Sequence, residues 1–280
     1  MARASIFRFD DIRDAVRFLG AVPDFFDTLK YHAEKTSSRA KLLSLIPHII
    51  GSCVHVRFEY STGQATGQNM TTIATHAACK ALLASDIKGE YRITGFLTED
   101  QFASDKKLAW GNVSTPRGVQ VMARATIPNA VCKSVLGNDT SALYGTYLHG
   151  VQAGIRNGIH GYNINTANVL AAMFIATGQD AGSILEGGWA QLTFEYNDET
   201  EDLTASVFFP SLPVGTVGGG TGYSTQHEAL VLLGCVGEGS KWKLAETIAS
   251  FALALEISTI SAIANDTFTQ GHRRFARAMI

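Results

Sequence analysis

The chain of 280 residues carries 23 Lys and Arg against 25 Asp and Glu, and a net charge of −2 offers no electrostatic footprint for nucleic acid or an anionic membrane. Charged residues make up 17% and hydrophobic ones 46%, the balance of a globular protein with one large core or two modest ones. Cys53, Cys79, Cys132 and Cys235 form no C-x-x-C pair, so they read as scattered buried thiols rather than a disulfide framework or a zinc site.

In chain order, Asp10–Tyr31 places Ile12, Val16 and Leu19 at helical spacing. Lys41–Ile50 is apolar and leads to Val54–Tyr60, whose Val-His-Val-Arg-Phe-Glu-Tyr alternation is that of a half-buried strand. Met70–Leu83 reads as an Ala- and Thr-rich helix and Tyr91–Phe96 as a strand. Together these suit a small α+β unit. Gln120–Ile127 then reads as a strand and Asn129–Val135 as the start of a helix. Ala167–Ala176 is a helix with almost no polar face, so burial on all sides is expected. Leu192–Tyr196 and Leu203–Phe209 are strands joined by the acidic turn Asn197–Asp202, and Gln226–Leu233 and Leu244–Ala264 are helices. No uninterrupted apolar run approaches the ~18 residues that span a bilayer, and the N-terminal residues are too charged for a signal peptide. A cytoplasmic location is the expectation.

Three segments resist explanation as plain scaffold. Ser211–Thr221 holds Gly218, Gly219 and Gly220 in an apolar, β-branched context, which suits backbone passing close to a neighbour or converging N–H groups on a ligand. Gly161–Gly182 and Gly63–Met70 are the others. With the first they resemble, in the same chain order, the GDAMGMNM, GYNAHAANI…IACGQDA and GTVGGGT signatures of hydroxymethylglutaryl-CoA reductase, most closely its eukaryotic-type class. The resemblance runs from about Arg8 to His272. It implies a ferredoxin-like small domain that holds a nicotinamide cofactor, here residues 10–95. A larger domain built on a central buried helix would take residues 1–9 and 96–280.

Enzymes of that family reduce a thioester to an alcohol in two hydride transfers, which requires a cation for the developing oxyanion and acids for the oxygen and the departing thiol. By resemblance the cation is Lys106 of Asp105-Lys106-Lys107, held by Asp180, and His272 protonates the thiolate. Arg8, Lys107, Asn168 and Asn165 are the implied substrate contacts. The implied cofactor contacts are Gly63, Gln64, Ala65, Thr66, Gly67, Gln68, Asn69, Gly218, Gly219 and Gly220, with Ser38 and Arg39 in the phosphate-recognition segment. No metal is implied. A homodimer is expected, since the family builds its sites at subunit interfaces.

Several family residues differ here. The Glu-Asn-Val-Ile-Gly motif that carries the catalytic glutamate, upstream of the Arg8 match, has no counterpart in these residues; general acid catalysis is typically worth ~10²–10⁴ in rate. The motif's aspartate is Gln64 and its two methionines are Thr66 and Gln68. A histidine has become Asn165. The leading expectation is therefore a reductase-fold enzyme repurposed in specialised metabolism for non-reductive cyclisation, isomerisation or elimination, with NADPH binding weakened but still possible through Gln64. The alternative is an NAD(P)H-dependent reductase of hydroxymethylglutaryl-CoA or another acyl or carbonyl substrate. A third reading is a non-catalytic partner of a complete reductase.

Overall fold

The computed structural model describes residues 1–277, and its buried apolar side chains fall into two cores, one spanning Phe7 to Ile93 and the other Cys132 to Ile260. The first belongs to a four-stranded antiparallel sheet of order β2-β3-β1-β4, from β1 (Ala2–Arg8), β2 (Lys41–Ile50), β3 (Cys53–Ser61) and β4 (Gly95–Leu97). Helices α1 (Ile12–Ala21), α2 (Phe26–Glu34) and α3 (Gln68–Ala84) connect the strands, with a short α4 (Ile87–Glu90) before β4. This βαββαβ order is the split βαβ of a ferredoxin-like unit.

The alternation of β3 does what its sequence predicts. Val54, Val56, Phe58 and Tyr60 are buried toward the helices, against Ala15 and Phe18 of α1, Leu29 of α2 and Ala78 and Leu82 of α3. His55 and Arg57 take the opposite face, where the segment after β4 crosses the sheet: Arg57 donates from Nη1 to the Phe102 carbonyl at 3.1 Å and from Nη2 to that of Thr115 at 2.5 Å. Asp11 caps α1, its carboxylate accepting the Arg13 N–H at 2.8 Å.

Residues 1–9, expected with the large domain, instead supply a central strand of the small sheet. β1 pairs with β3 from Ala2↔Glu59 to Arg8↔Cys53 and with β4 from Ile6↔Leu97 to Arg8↔Gly95. Without it β3 would be an edge strand and β4 would have no strand partner. The strand expected over Tyr91–Phe96 is confined to Gly95–Leu97, because Tyr91 closes α4 and packs on Phe18 and Phe25.

After α5 (Gly111–Ser114) comes a three-stranded antiparallel sheet of order β5-β7-β6, from β5 (Val119–Ile127), β6 (Gln191–Tyr196) and β7 (Leu203–Leu212). Between β5 and β6 lie α6 (Asn129–Val131), whose chain continues as a π-helical turn over Cys132–Leu136, then α7 (Thr140–Asn157), α8 (Thr166–Ala176) and α9 (Ile184–Gly187). α10 (Ser224–Leu232), α11 (Ser240–Ala264) and α12 (Phe268–Arg277) follow β7.

The central helix is α11. It lays Leu244, Ile248, Ala252 and Ile260 into the second core and packs on β5, β7, α7 and α8. By length and composition it is apolar enough to cross a membrane, and 44% of its apolar stretch is buried in this packing. The helix expected to be buried all round, α8, buries only Thr166, Leu170 and Phe174, and Ile175 is 65% exposed. Its second apolar face is uncovered in the single chain. The four cysteines are free, three of them buried, and burial pushes the Cys79 thiol up to about 12.

Candidate active site

The three glycine-bearing segments meet. They line a cavity of about 560 Å³ with walls from Ala65–Met70, Gly178–Asp180 and Val217–Thr221. Backbone approaches backbone: a Cβ on Gly178 would lie 2.4 Å from the Gly220 carbonyl carbon, and one on Gly215 would lie 2.2 Å from the Thr66 nitrogen. Side chains at either position would force the walls apart. The Gln179 amide locks the same junction, donating to the Gly215 carbonyl at 2.9 Å and accepting the Gly215 N–H at 2.8 Å. Thr216 donates its N–H to the Gln64 carbonyl at 2.9 Å, tying the third segment to the first.

Helix α3 opens at this cavity. Gly67, at φ +90°, turns the chain into the helix, and Gln68, Asn69 and Met70 of the first turn line the wall. First-turn N–H groups have no partner within a helix, so this end of α3 favours an anion. No acidic residue lies in that turn to compete for the position.

Asp180 sits where the cavity meets the segment after β4. Its Oδ2 is 2.7 Å from the Lys106 Nζ, while Oδ1 accepts the Gly182 N–H at 3.0 Å and fixes the carboxylate. Both side chains are partly open to solvent, 41% for Lys106 and 31% for Asp180, and Asp180 lines the cavity. Lys106 lies in a strained turn: Ser104 and Lys106 both have φ +57°. Asp105 between them is held by Arg3 Nη1 at 2.9 Å and by Arg117 Nη2. Burial pushes the Asp105 carboxyl upward, but the charges of Arg117 and Arg3 outweigh it and leave it below the usual range.

Other expected site residues lie elsewhere. Arg8 is exposed at the far end of β1 from Arg3, about 17 Å along an extended strand. It is Arg3 that reaches the lysine turn; five residues separate the two, so they also face opposite sides of the sheet. Gly63 and Gln64 do not line the cavity. The Gln64 Oε1 accepts the Lys241 N–H at 2.9 Å and so caps α11, and the Lys241 Nζ donates to the Gly63 and Ala65 carbonyls at 3.2 and 3.1 Å. Burial pushes the Lys241 ammonium down to about 8.

Asn165 and Asn168 stand at the start of α8, eight or more residues and hence about 12 Å or more from its C-terminal end, which leads to Asp180. There Asn168 donates to Asn165 at 3.0 Å, Asn165 donates to Thr259 at 2.5 Å, and Glu256 of α11 accepts the backbone N–H groups of Ile164 and Asn165 at 2.8 and 2.6 Å. Burial pushes the Glu256 carboxyl upward, with those N–H groups pulling the other way. His272 is exposed on α12, its Nδ1 2.9 Å from the Phe268 carbonyl, and is not brought to Lys106. Lys107 is exposed beside Lys106. Ser38 and Arg39 are exposed in the turn before β2, at the sheet end where Lys41 pairs with Ser61, two residues before Gly63.

The chain thus has two cores, a glycine-walled cavity and a lysine–aspartate pair at the rim of that cavity. The sequence profile described as hydroxymethylglutaryl-coenzyme A reductase matches residues 1–277, and the chain belongs to that family. It is 38% identical over 283 residues to the 3-hydroxy-3-methylglutaryl-coenzyme A reductase of Haloferax volcanii, covering 99% of this chain and 68% of that protein. With the same-named enzyme of Methanocaldococcus jannaschii it shares 32% over 285 residues, covering 99% and 68%. Among solved structures, the class II reductase of Streptococcus pneumoniae bound to NADPH in open conformations superposes with a TM-score of 0.63 at 18% identity, covering 94% of this chain and 71% of that one. That likeness is one of fold. These relatives are named as reductases, so the repurposed, non-reductive chemistry expected from the sequence finds no support in them, and the reductase alternative fits better.

Proposed function

We propose that the chain is an NAD(P)H-dependent reductase of an acyl-CoA thioester, with hydroxymethylglutaryl-CoA the first substrate to test. The observation that carries this is the 2.7 Å Lys106–Asp180 pair on the rim of the glycine-walled cavity. An ammonium at that position is suited to stabilise the oxyanion that develops when a carbonyl is reduced. Asp180 orients it.

The cavity suits a dinucleotide. Its walls are glycine backbone, its floor is the N-terminus of a 17-residue helix, and the segments are cross-linked by Gln179 and Thr216 rather than by bulky side chains. Ala65–Asn69 and Gly218–Gly220 would hold the cofactor, which supplies the hydride when bound. The Arg39 guanidinium, at the same end of the small sheet, is the candidate for a 2′-phosphate. Lys106 would bind the thioester oxygen, and the exposed Lys107 would hold a carboxylate on the acyl group. His272 acts as a proton donor in this reading only if α12 moves.

A second copy of this chain is the proposed partner. In support, α8 and α10 expose Ile175 at 65% and Leu232 at 88%, apolar surface that a monomer would leave in water. The decisive test is titration of the purified chain with NADPH and NADH, followed by thioester-dependent oxidation of the bound cofactor. Micromolar binding with turnover is expected; no binding at millimolar cofactor would end the proposal.

A further inference from the structure

Beneath the Lys106 turn lies a pair of charges with no exposure at all. Arg117, just before β5, and Glu186, on the short α9, each have 0% side-chain exposure. The guanidinium and carboxylate meet as a fork, Nε to Oε1 at 2.8 Å and Nη2 to Oε2 at 2.8 Å. Every remaining valence of the carboxylate is used: Ser211 Oγ donates to Oε1 at 3.1 Å, and the Lys106 backbone N–H points to Oε2 at 3.4 Å. Arg117 Nη2 also binds the Asp105 carboxylate.

A buried ion pair is weak evidence of stabilisation, since desolvation consumes most of its attraction. Its geometry shows another use. The two residues flanking Asp105 are non-glycine residues at φ +57°, a conformation that persists only when its surroundings impose it. Arg117 holds the middle of that turn by its side chain, and Glu186 holds its end by the Lys106 N–H. Arg3 completes the clamp, binding Asp105 at 2.9 Å and the Gln68 carbonyl of the cavity wall at 3.4 Å.

We propose that Arg117 and Glu186 are positioning residues for Lys106: they impose its left-handed backbone and thereby deliver the ammonium to Asp180 at the cavity rim. They touch neither substrate nor cofactor. The geometric claim stands on the structure alone; its consequence for turnover rests on the reductase reading.

The test is a double-mutant cycle on Glu186→Gln and Lys106→Ala, with competitive amine labelling of Lys106 read by mass spectrometry against exposed Lys133. In Glu186→Gln the Lys106 amine should label several-fold differently relative to Lys133, while NADPH affinity stays within about twofold. Its kcat should fall tenfold or more, and that loss should vanish in the Lys106→Ala background. Unchanged labelling, or equal losses with and without Lys106, would overturn the inference. A Lys106→Ala chain as active as the parent would sink the reductase reading instead, leaving the labelling result to decide this one. Should Glu186→Gln fail to fold, Arg117→Lys keeps the charge but loses the fork and is expected to give the same labelling change.

Discussion

Gln179 and Gly215 join as two strand residues would, although only one of them contributes backbone. The Gln179 amide nitrogen donates to the Gly215 carbonyl at 2.9 Å, and its oxygen accepts the Gly215 N–H at 2.8 Å. Gln179 Nε2 also donates to the Thr177 carbonyl at 2.9 Å, so the amide is satisfied from both sides. One side chain thus closes the seam between the turn after α8 and the loop after β7.

Replacing Gln179 tests that seam. Gln179→Ala leaves the Gly215 N–H and carbonyl without partners, at a cost of about 1–3 kcal/mol. Gln179→Glu keeps an acceptor for the N–H but sets a carboxylate against the Gly215 carbonyl, so it should destabilise at least as much. Urea unfolding of the three proteins checks this; equal midpoints would show that the seam is held by something else.

The glycines of the junction predict a different phenotype. Gly178→Ala sets a methyl 2.4 Å from the Gly220 carbonyl carbon and at φ +70°, and Gly215→Ala sets one 2.2 Å from the Thr66 nitrogen. Each variant must separate two cavity walls. Loss of nicotinamide affinity by tenfold or more, about 1.4 kcal/mol, is expected in both. Fluorescence titration reads it, and circular dichroism should show that the secondary structure is retained.

For the Lys106–Asp180 pair the expected loss is in turnover. Lys106→Ala removes the ammonium that would meet the oxyanion, and kcat should fall by roughly 10²–10³-fold. Asp180→Asn keeps the lysine but loses its anchor and should cost less. Single-turnover rates of hydride transfer separate these effects from substrate binding. A Lys106→Ala protein with near-parent rates would remove the lysine from the chemistry.

Much of this site was legible in the sequence because its signals are local. Gly67, Gly178 and Gly218–Gly220 line the cavity, and Gly178 and Gly220 are the points of close backbone approach; Gly63 does neither. The period-two alternation of Val54–Tyr60 shows one apolar face, and that face is buried. What stayed hidden depends on long-range pairing. β1 is seven residues long and becomes a strand by bonding to β3 and β4, 45 or more residues away. Arg8 came from the resemblance, whereas the residue at the lysine turn is Arg3, a difference of five residues that reverses both face and end. The composition of α8 gave no sign that one of its apolar faces would be uncovered. Arg117 and Glu186 carry no motif; only their burial marks them.

The uncovered face of α8 and α10 predicts an oligomer sensitive to charge. Ile175 is 65% and Leu232 is 88% exposed, and neither lines the cavity. Leu232→Asp should shift the chain to monomer in light scattering at micromolar concentration without lowering its melting temperature. A parent that is already monomeric would remove the second copy as partner.

Lys241 gives the pH dependence its sign. Burial lowers its ammonium from 10.5 to about 8, so the unfolded chain binds this proton more tightly than the folded one. The stability contribution is complete above 10.5 and is lost as pH falls through about 8. Across that window the difference is on the order of 3 kcal/mol. The neutral amine can still donate to the Gly63 and Ala65 carbonyls, so the loop stays pinned as the charge disappears. Lys241→Met removes both the donor and the titration. The parent should therefore gain stability over Lys241→Met as pH rises from 8 to 10, in urea unfolding at fixed ionic strength. A difference that stays flat or narrows over that range would mean that the ammonium is solvated rather than buried, and that the loop is held by the Gln64 cap alone.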